Sequence, residues 1–143
     1  MKKSGSLLCL LMLVTAAAFA APDVAQKYQP FPKTLINARY VYVTSYDGGE
    51  FNPNILPEDR QAIANVQDAI RRWGHYILVY NVRQADMVLA VQKRGSEDVL
   101  AVYDPKFNHD STYLWRVMGR GGLDQNELPL FSDFRTAVEN ASK

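Results

Sequence analysis

Two histidines are the only imidazole groups that this chain offers for acid–base or metal chemistry. His75 follows a helical pattern and opens a strand pattern, where its ring can donate a hydrogen bond to a nearby carbonyl. His109 lies in a polar stretch, and neither residue belongs to a paired spacing such as His-Glu-x-x-His. The sequence favours structural roles for both, and it predicts no catalytic residue, no metal and no other cofactor.

The densest polar stretch of the chain spans residues 104–111. The carboxylates of Asp104 and Asp110 are ligands that Ca²⁺ accepts, but their spacing is not that of an EF-hand loop. His109 and Ser111 flank Asp110, whereas the members of a catalytic triad normally come from separate segments. We interpret the stretch as a hairpin loop.

A glycine-rich segment, Gly119–Gly122, carries one arginine, Arg120. Backbone N–H groups and an arginine suit anion binding, but the P-loop pattern is missing and the segment is not followed directly by a helix. A turn is the favoured interpretation. The alternative is a small hydrolase or anion-binding enzyme in which His109, Asp110 and Arg120 converge.

The first 21 residues have the pattern of a secretory signal peptide. Lys2 and Lys3 precede an apolar run that ends in small residues, and the run is shorter than the roughly 20 residues of a membrane span. Cleavage would remove Cys9, the only cysteine, which lies inside the apolar run and not at the cleavage point. We therefore expect export to the periplasm or the medium, without disulfides or a lipid anchor.

Charge argues against nucleic acid as a partner. The chain has 16 Lys and Arg against 15 Asp and Glu, and loss of Lys2 and Lys3 leaves 14 against 15, a net charge of −1. No basic stripe occurs, so neutralisation of phosphates is not expected. Nothing after Ala21 is long and apolar enough to re-enter a membrane.

Periodicity predicts the element order β-α-β-β-β-β-α. Alternating β-branched and aromatic residues indicate strands, and apolar residues at helical spacing indicate two helices. The predicted strands are Arg39–Ser45, His75–Val82, Asp86–Gln92, Val99–Tyr103 and Thr112–Met118, and the predicted helices are Pro57–Trp73 and Leu130–Ala141, with Ser132 as a cap of the second.

These elements predict an α+β two-layer sandwich, a mostly antiparallel five-stranded sheet with two helices on one face. Residues 22–37 carry several prolines and are interpreted as an extended leader. Residues 38–143 form the single domain, and the second face of its sheet is free for water or a partner.

Aromatic residues on the strands are the most suggestive surface feature. Side chains two residues apart share a face of a strand, so pairing of the strands could gather them on the open side of the sheet. The alternative is that tyrosine and tryptophan simply pack well in strands. The candidate interaction surface consists of Tyr40, Tyr42, Tyr76, Tyr80, Tyr113 and Trp115.

The chain resembles a family of small bacterial envelope domains. Ala85–Val91 is similar to their ADLVIxV strand, and Val102–Pro105 with Leu114–Arg116 is similar to their V-x-D-P…L-W hairpin. Gly121–Leu123 and Leu130–Arg135 resemble their closing segment and final helix. Related folds include the lipoprotein activators of peptidoglycan synthases and the amino-terminal domain of the Tol-system propeller protein.

The resemblance covers residues 38–141 and implies binding without catalysis, because such domains act by binding. Lys106–Ser111 replaces their tight Thr-Gly turn, and the lipid-anchoring cysteine is missing. We expect a non-enzymatic binding or accessory domain of the cell envelope, with an envelope protein or polymer as its partner. A hydrolase or anion-binding enzyme and a self-associating structural protein are the alternatives, and the oligomeric state stays open.

Overall fold

The computed structural model describes residues 29–106, 112–124 and 128–143. The predicted signal peptide lies outside the described residues. Two short 3-10 turns, at 33–35 and 82–84, accompany the main elements. The main elements are β1 (Tyr40–Ser45), α1 (Pro57–Trp73), β2 (Ile77–Val79), β3 (Met87–Gln92), β4 (Asp98–Tyr103), β5 (Trp115–Gly119) and α2 (Pro129–Ala141).

The α+β class and the element order are confirmed. One five-stranded sheet has the order β2-β1-β3-β4-β5. The sheet is mixed, since β1 pairs in parallel with β2 and β3, whereas β3–β4 and β4–β5 are antiparallel. Helix α1 connects β1 to the parallel β2, and the segment between β2 and β3 then returns the chain past β1, so both neighbours of β1 run in its direction.

Helix α1 follows its sequence signals closely. Pro57 occupies the first helical turn, where its missing N–H costs nothing, and Gly74 ends the helix in the left-handed region at φ 70°. Ile63, Val66 and Ile70 form the buried stripe, fully shielded from solvent. The helix therefore packs on β1, β2 and β3 through this stripe.

Helix α2 begins at Pro129, and Ser132 lies within its first turn, so Ser132 is not the cap. The residue before the helix is Leu128, which has a positive φ of 42° and caps nothing with its side chain. Leu128 is buried in the core, so an apolar side chain stands where a polar cap is expected. Phe134 and Val138 then face the core.

The core lies between the helices and one face of the sheet. Register aligns Val43, Leu89, Val102 and Trp115 in one row across four strands. Each of these side chains is at most 1% exposed. We call this the inner face, and the opposite side of the sheet the outer face.

The predicted leader is in part a piece of the domain, and its boundary at residue 38 is wrong. Phe31 and Leu35 are only 4% and 5% exposed and belong to the core. The indole Nε1 of Trp115 donates to the backbone oxygen of Gln29 over 2.8 Å. In the sequence, this segment shows several prolines and no hydrophobic periodicity. Such a pattern indicates that no regular helix or strand forms, but it does not indicate that the side chains stay outside the core.

Asp86 fixes the start of β1, and this contact gives a pH-dependent prediction. Its Oδ2 accepts hydrogen bonds from the backbone N–H groups of Arg39 (2.9 Å) and Tyr40 (3.1 Å), which lower the pKa of Asp86 below its ordinary 3.8. The stabilisation is present above that value and is lost as pH falls through the lower folded pKa. Because Asp86 is exposed, we expect less than about 1 kcal/mol.

Urea unfolding of Asp86→Asn checks this expectation. The amide oxygen still accepts a hydrogen bond but carries no charge, so the stability difference from the wild type should vanish as pH falls well below 3.8. A difference that persists unchanged at low pH contradicts the linkage to Asp86.

Candidate functional site

The outer face of the sheet is rich in tyrosine, and no helix of residues 29–106, 112–124 or 128–143 covers it. Register aligns Val79, Tyr42, Val88 and Tyr103 in one row across β2, β1, β3 and β4. The next row begins with Thr44 and continues through two alanines, Ala90 and Ala101. Small side chains beside large rings leave a depression over β3.

A cavity of about 230 Å³ occupies this depression. Its floor includes Val88 and Ala90, which are only 8% and 5% exposed although both helices of the described chain lie on the inner face. We call it the tyrosine cavity. Its lining consists of Tyr42, Thr44, Ser45, Tyr46, Gly48, Gly49, Val82, Val88, Ala90, Tyr103, Asp104 and Pro105.

Two connections close the sides of the tyrosine cavity. The β1–α1 loop brings Gly49 against Tyr42, so close that a Cβ there would lie 2.6 Å from the Tyr42 hydroxyl. The 3-10 turn at 82–84 contributes Val82 to the lining. The Asn81 side chain caps this turn by accepting a hydrogen bond from the backbone N–H of Arg83. Any larger residue at 49 would displace the Tyr42 hydroxyl, so glycine permits the close approach of the loop.

Tyr46 and Tyr103 form a corner of the cavity. Their ring centroids are 6.2 Å apart with an interplanar angle of 79°, and the Tyr103 hydroxyl donates to that of Tyr46 over 3.2 Å. Burial raises the pKa of Tyr46 above its ordinary value, so this hydroxyl is neutral at ordinary pH.

The predicted interaction surface is wrong for three of its six residues. Trp115 is 0% exposed and Tyr76 is 5% exposed, because both face the helices. The burial raises the pKa of Tyr76 to about 12. Tyr80 is exposed, but its hydroxyl receives a hydrogen bond from Arg71 of α1 and so lies on the helix side.

The other three residues of the predicted surface lie on or beside the outer face: Tyr40, Tyr42 and Tyr113. Tyr40 is 40% exposed and pairs with Ile77, which is 55% exposed. Tyr113 lies before β5, and the guanidinium carbon of Arg116 is 4.4 Å from its ring centroid. These residues do not all meet at one point, since only Tyr42 lines the tyrosine cavity.

Sequence reasoning did not place Tyr46 and Tyr103 in the candidate set. Tyr46 has the same parity as Tyr40 and Tyr42, so a signal was present in β1. Tyr103 is the last residue of β4 and lies on the same face of the strand as Ala101. This period-two spacing was the available signal. Neither pattern reveals that the two rings meet, because the contact joins residues 57 positions apart.

A buried charge network lies on the helix side of the sheet, at the start of α1. Asp59 is fully buried, and its Oδ1 accepts from Lys93 N over 2.7 Å and from Arg94 Nη1 over 2.9 Å. Asp98, also fully buried, accepts from the backbone N–H groups of Arg94 and Leu123. The network ties α1 to the β3–β4 hairpin.

Arg120 faces a second, wider depression of about 570 Å³ next to this network. Lys93 and Arg94 also line it, but they are already paired with aspartates, and Glu58 and Asp124 add negative charge. The arrangement does not make a site for an anion.

The enzyme hypothesis gains no support from the geometry. Asp98 pairs with Gly119, and Val102 pairs with Trp115, so Asp104 lies at the opposite end of β4 from the Arg120 turn. At about 3.3 Å per residue, the strand separates the two ends by roughly 17 Å. His109 and Asp110 lie outside the described residues.

Comparisons with protein-family models, with curated proteins and with solved structures found no match. In the described residues, no helix has the length and hydropathy needed to cross a membrane. The same residues contain no group of three or more His, Cys, Asp or Glu side chains placed to hold a metal ion. The outer face of the sheet is therefore the feature from which a function can be inferred.

Proposed function

We propose that this protein is an exported, non-enzymatic binding domain of the bacterial cell envelope. The amino-terminal pattern supports export, and the resemblance to small envelope domains supports binding. The observation that carries the proposal is the outer face, an apolar and tyrosine-rich sheet surface that no helix of the described chain covers.

Exposed apolar area on one side of a sheet is typical of interaction surfaces. Ile77, Tyr40 and Val82 are 55%, 40% and 41% exposed, and Tyr46 and Met118 are exposed to a similar extent. Tyrosine suits such a surface because it combines a large apolar ring with a hydroxyl that can hydrogen-bond to a partner. An envelope protein or polymer is the expected partner.

The pair Tyr40→Ser and Ile77→Ser tests this proposal. The two side chains are register partners on the outer face, and both are exposed enough for the fold to tolerate serine. We expect the double variant to lose the species that the wild-type domain captures from an envelope extract. Thermal unfolding of the variant verifies that the domain is still folded.

Tyr80→Ser is the matched control, because Tyr80 is 51% exposed but lies on the helix side. It should capture the same species as the wild type. Undiminished capture by the Tyr40→Ser, Ile77→Ser variant would refute a contact through the outer face.

A second candidate function is self-association. Phe51 is 82% exposed on the β1–α1 loop, two residues after Gly49 in the wall of the tyrosine cavity. A phenylalanine this exposed is a ready contact for another copy of the chain. Sedimentation of the wild type and of Phe51→Ser distinguishes self-association from binding to another envelope component. If the chain self-associates through Phe51, the variant should sediment with a lower mass than the wild type, and otherwise the two masses should be equal.

A further inference from the structure

We propose that the tyrosine cavity binds an organic ammonium group, held between the rings of Tyr42 and Tyr103 above Val88. The inference goes beyond a contact surface for a macromolecule, because the cavity is a small and separate site with its own chemistry. It depends on three observations: the placement of the tyrosines on neighbouring strands, the charge of the lining and the nature of the floor.

The spacing of the strands sets the distance between the rings. Tyr42 and Tyr103 stand on either side of Val88 in one row, on β1 and β4. Neighbouring strands are about 4.8 Å apart, so the two tyrosine backbones are separated by roughly 10 Å. Both side chains line the cavity between these backbones, and cation–π attraction acts over roughly 6 Å from a ring centroid.

Tyr46 adds a third ring. It meets Tyr103 nearly at right angles, so the two rings are adjacent walls and not parallel plates. Aromatic walls at steep angles around a small space are the arrangement by which proteins recognise quaternary ammonium groups. The same face already holds one cation on a tyrosine, since Arg116 lies over Tyr113 outside the cavity.

Asp104 supplies the charge. It is the only charged residue among the described residues that line the cavity, and it takes part in no ion pair with them. Its Oδ1 accepts from the backbone N–H of Lys106 over 2.9 Å, which leaves Oδ2 for a ligand. An acidic lining without a paired cation selects a positively charged occupant.

The floor and the volume limit the size of that occupant. Val88 and Ala90 present methyl groups, which suit the methyl groups of a quaternary ammonium better than a hydrated ion. A volume of about 230 Å³ is smaller than most drug-sized sites, which begin at roughly 300 Å³, and it accommodates a choline-sized molecule.

Choline is the probe, and 3,3-dimethylbutan-1-ol is its uncharged analogue of the same shape. The chain from Pro22 to Lys143, which retains every described residue, is titrated at constant ionic strength and followed by NMR. We expect the Val88 and Ala90 methyl signals to shift and saturate with choline. The uncharged analogue should bind about tenfold more weakly, within the range that cation–π contacts provide.

Asp104→Asn and Tyr103→Leu test the two recognition elements separately. Asparagine keeps an oxygen for the Lys106 N–H, so the turn is preserved while the charge is lost. Each variant should weaken choline binding by about three- to thirtyfold. Tyr113→Leu, outside the cavity, should bind choline like the wild type.

Vesicles distinguish the two sources of such a group. Cosedimentation with phosphatidylcholine but not phosphatidylglycerol vesicles assigns the site to a lipid headgroup, and binding of free choline alone assigns it to a soluble ligand. Equal binding of the uncharged analogue, no saturable shift with choline, or unchanged affinity in both variants would each overturn the proposal. None of these results affects the separate test of the proposed function, in which Tyr40 and Ile77 are replaced and capture from an envelope extract is measured.

Discussion

Replacing Asp59 by alanine is expected to lower the free energy of unfolding by about 3–5 kcal/mol, the range for breaking one partner of a buried ion pair. Asp59 is fully buried, and it holds both the Arg94 guanidinium and the backbone N–H of Lys93. Alanine leaves the Lys93 N–H without its acceptor beneath α1 and removes the buried carboxylate from Arg94, which keeps only Asp47 and the Lys93 carbonyl. Urea unfolding at neutral pH measures the loss.

Asp68→Ala is the control, because it removes the same side chain from the same helix. Asp68 pairs with Arg71, but its side chain is 60% exposed, so the pair should contribute less than about 0.5 kcal/mol. Similar losses in the two variants would show that burial does not set the strength of the Asp59 contact.

A combined Asp59→Leu and Arg94→Met variant distinguishes the energy of the Asp59–Arg94 ion pair from that of the other contacts of these two residues. Apolar replacements of similar volume often leave stability unchanged where a single change is costly. We expect the double variant to be more stable than Asp59→Ala. The remaining deficit measures the contacts of Lys93 N and of Asp47, which also binds Arg94 over 2.9 Å.

The buried aspartate illustrates what periodicity can and cannot predict. The sequence identifies α1 from Pro57 to Trp73 because its apolar stripe, its first-turn acids and its terminal glycine agree. In the sequence, Asp59 is simply an acid in the first helical turn, where it suits the positive end of the helix dipole. Its burial depends on Arg94, 35 residues away on a hairpin, and no local pattern reports such a contact.

Strand parity predicts which residues share a face, but it does not tell which face is covered. Tyr40 and Tyr42 are outside, whereas Trp115 is inside, because register places Trp115 in the row of Val102 and Leu89. A signal was available in β5, where Arg116 and Met118 alternate with Trp115 and Val117. The polar arginine marks the outer side, so the tryptophan had to be buried.

The tyrosine cavity could not be predicted as a site. Its floor is an ordinary strand pattern, and its walls come from β1, β4 and two connections. Tyr42 and Tyr103 become neighbours across Val88 only because β3 inserts between β1 and β4. That order depends on the parallel pairing of β1 with β3, and the sequence alone favoured antiparallel pairing.

The segment before β1 leads to the second large effect. Phe31→Ala should lower the free energy of unfolding by about 3–5 kcal/mol, the range for a buried phenylalanine. Phe31 packs against Phe134 and Trp115, with ring centroids 5.9 Å and 6.5 Å away. Alanine leaves a hole beside two rings that are fully buried and cannot move into it.

Phe51→Ala is the matched control, since Phe51 is 82% exposed and should change stability by less than about 0.5 kcal/mol. A chain that begins at Ala38 loses Phe31, Leu35 and the Gln29 contact of Trp115 together. It should unfold at far lower urea concentration than a chain that begins at Gln29. Equal midpoints would mean that residues 29–37 are a leader, as the prolines suggested, and that the core closes without them.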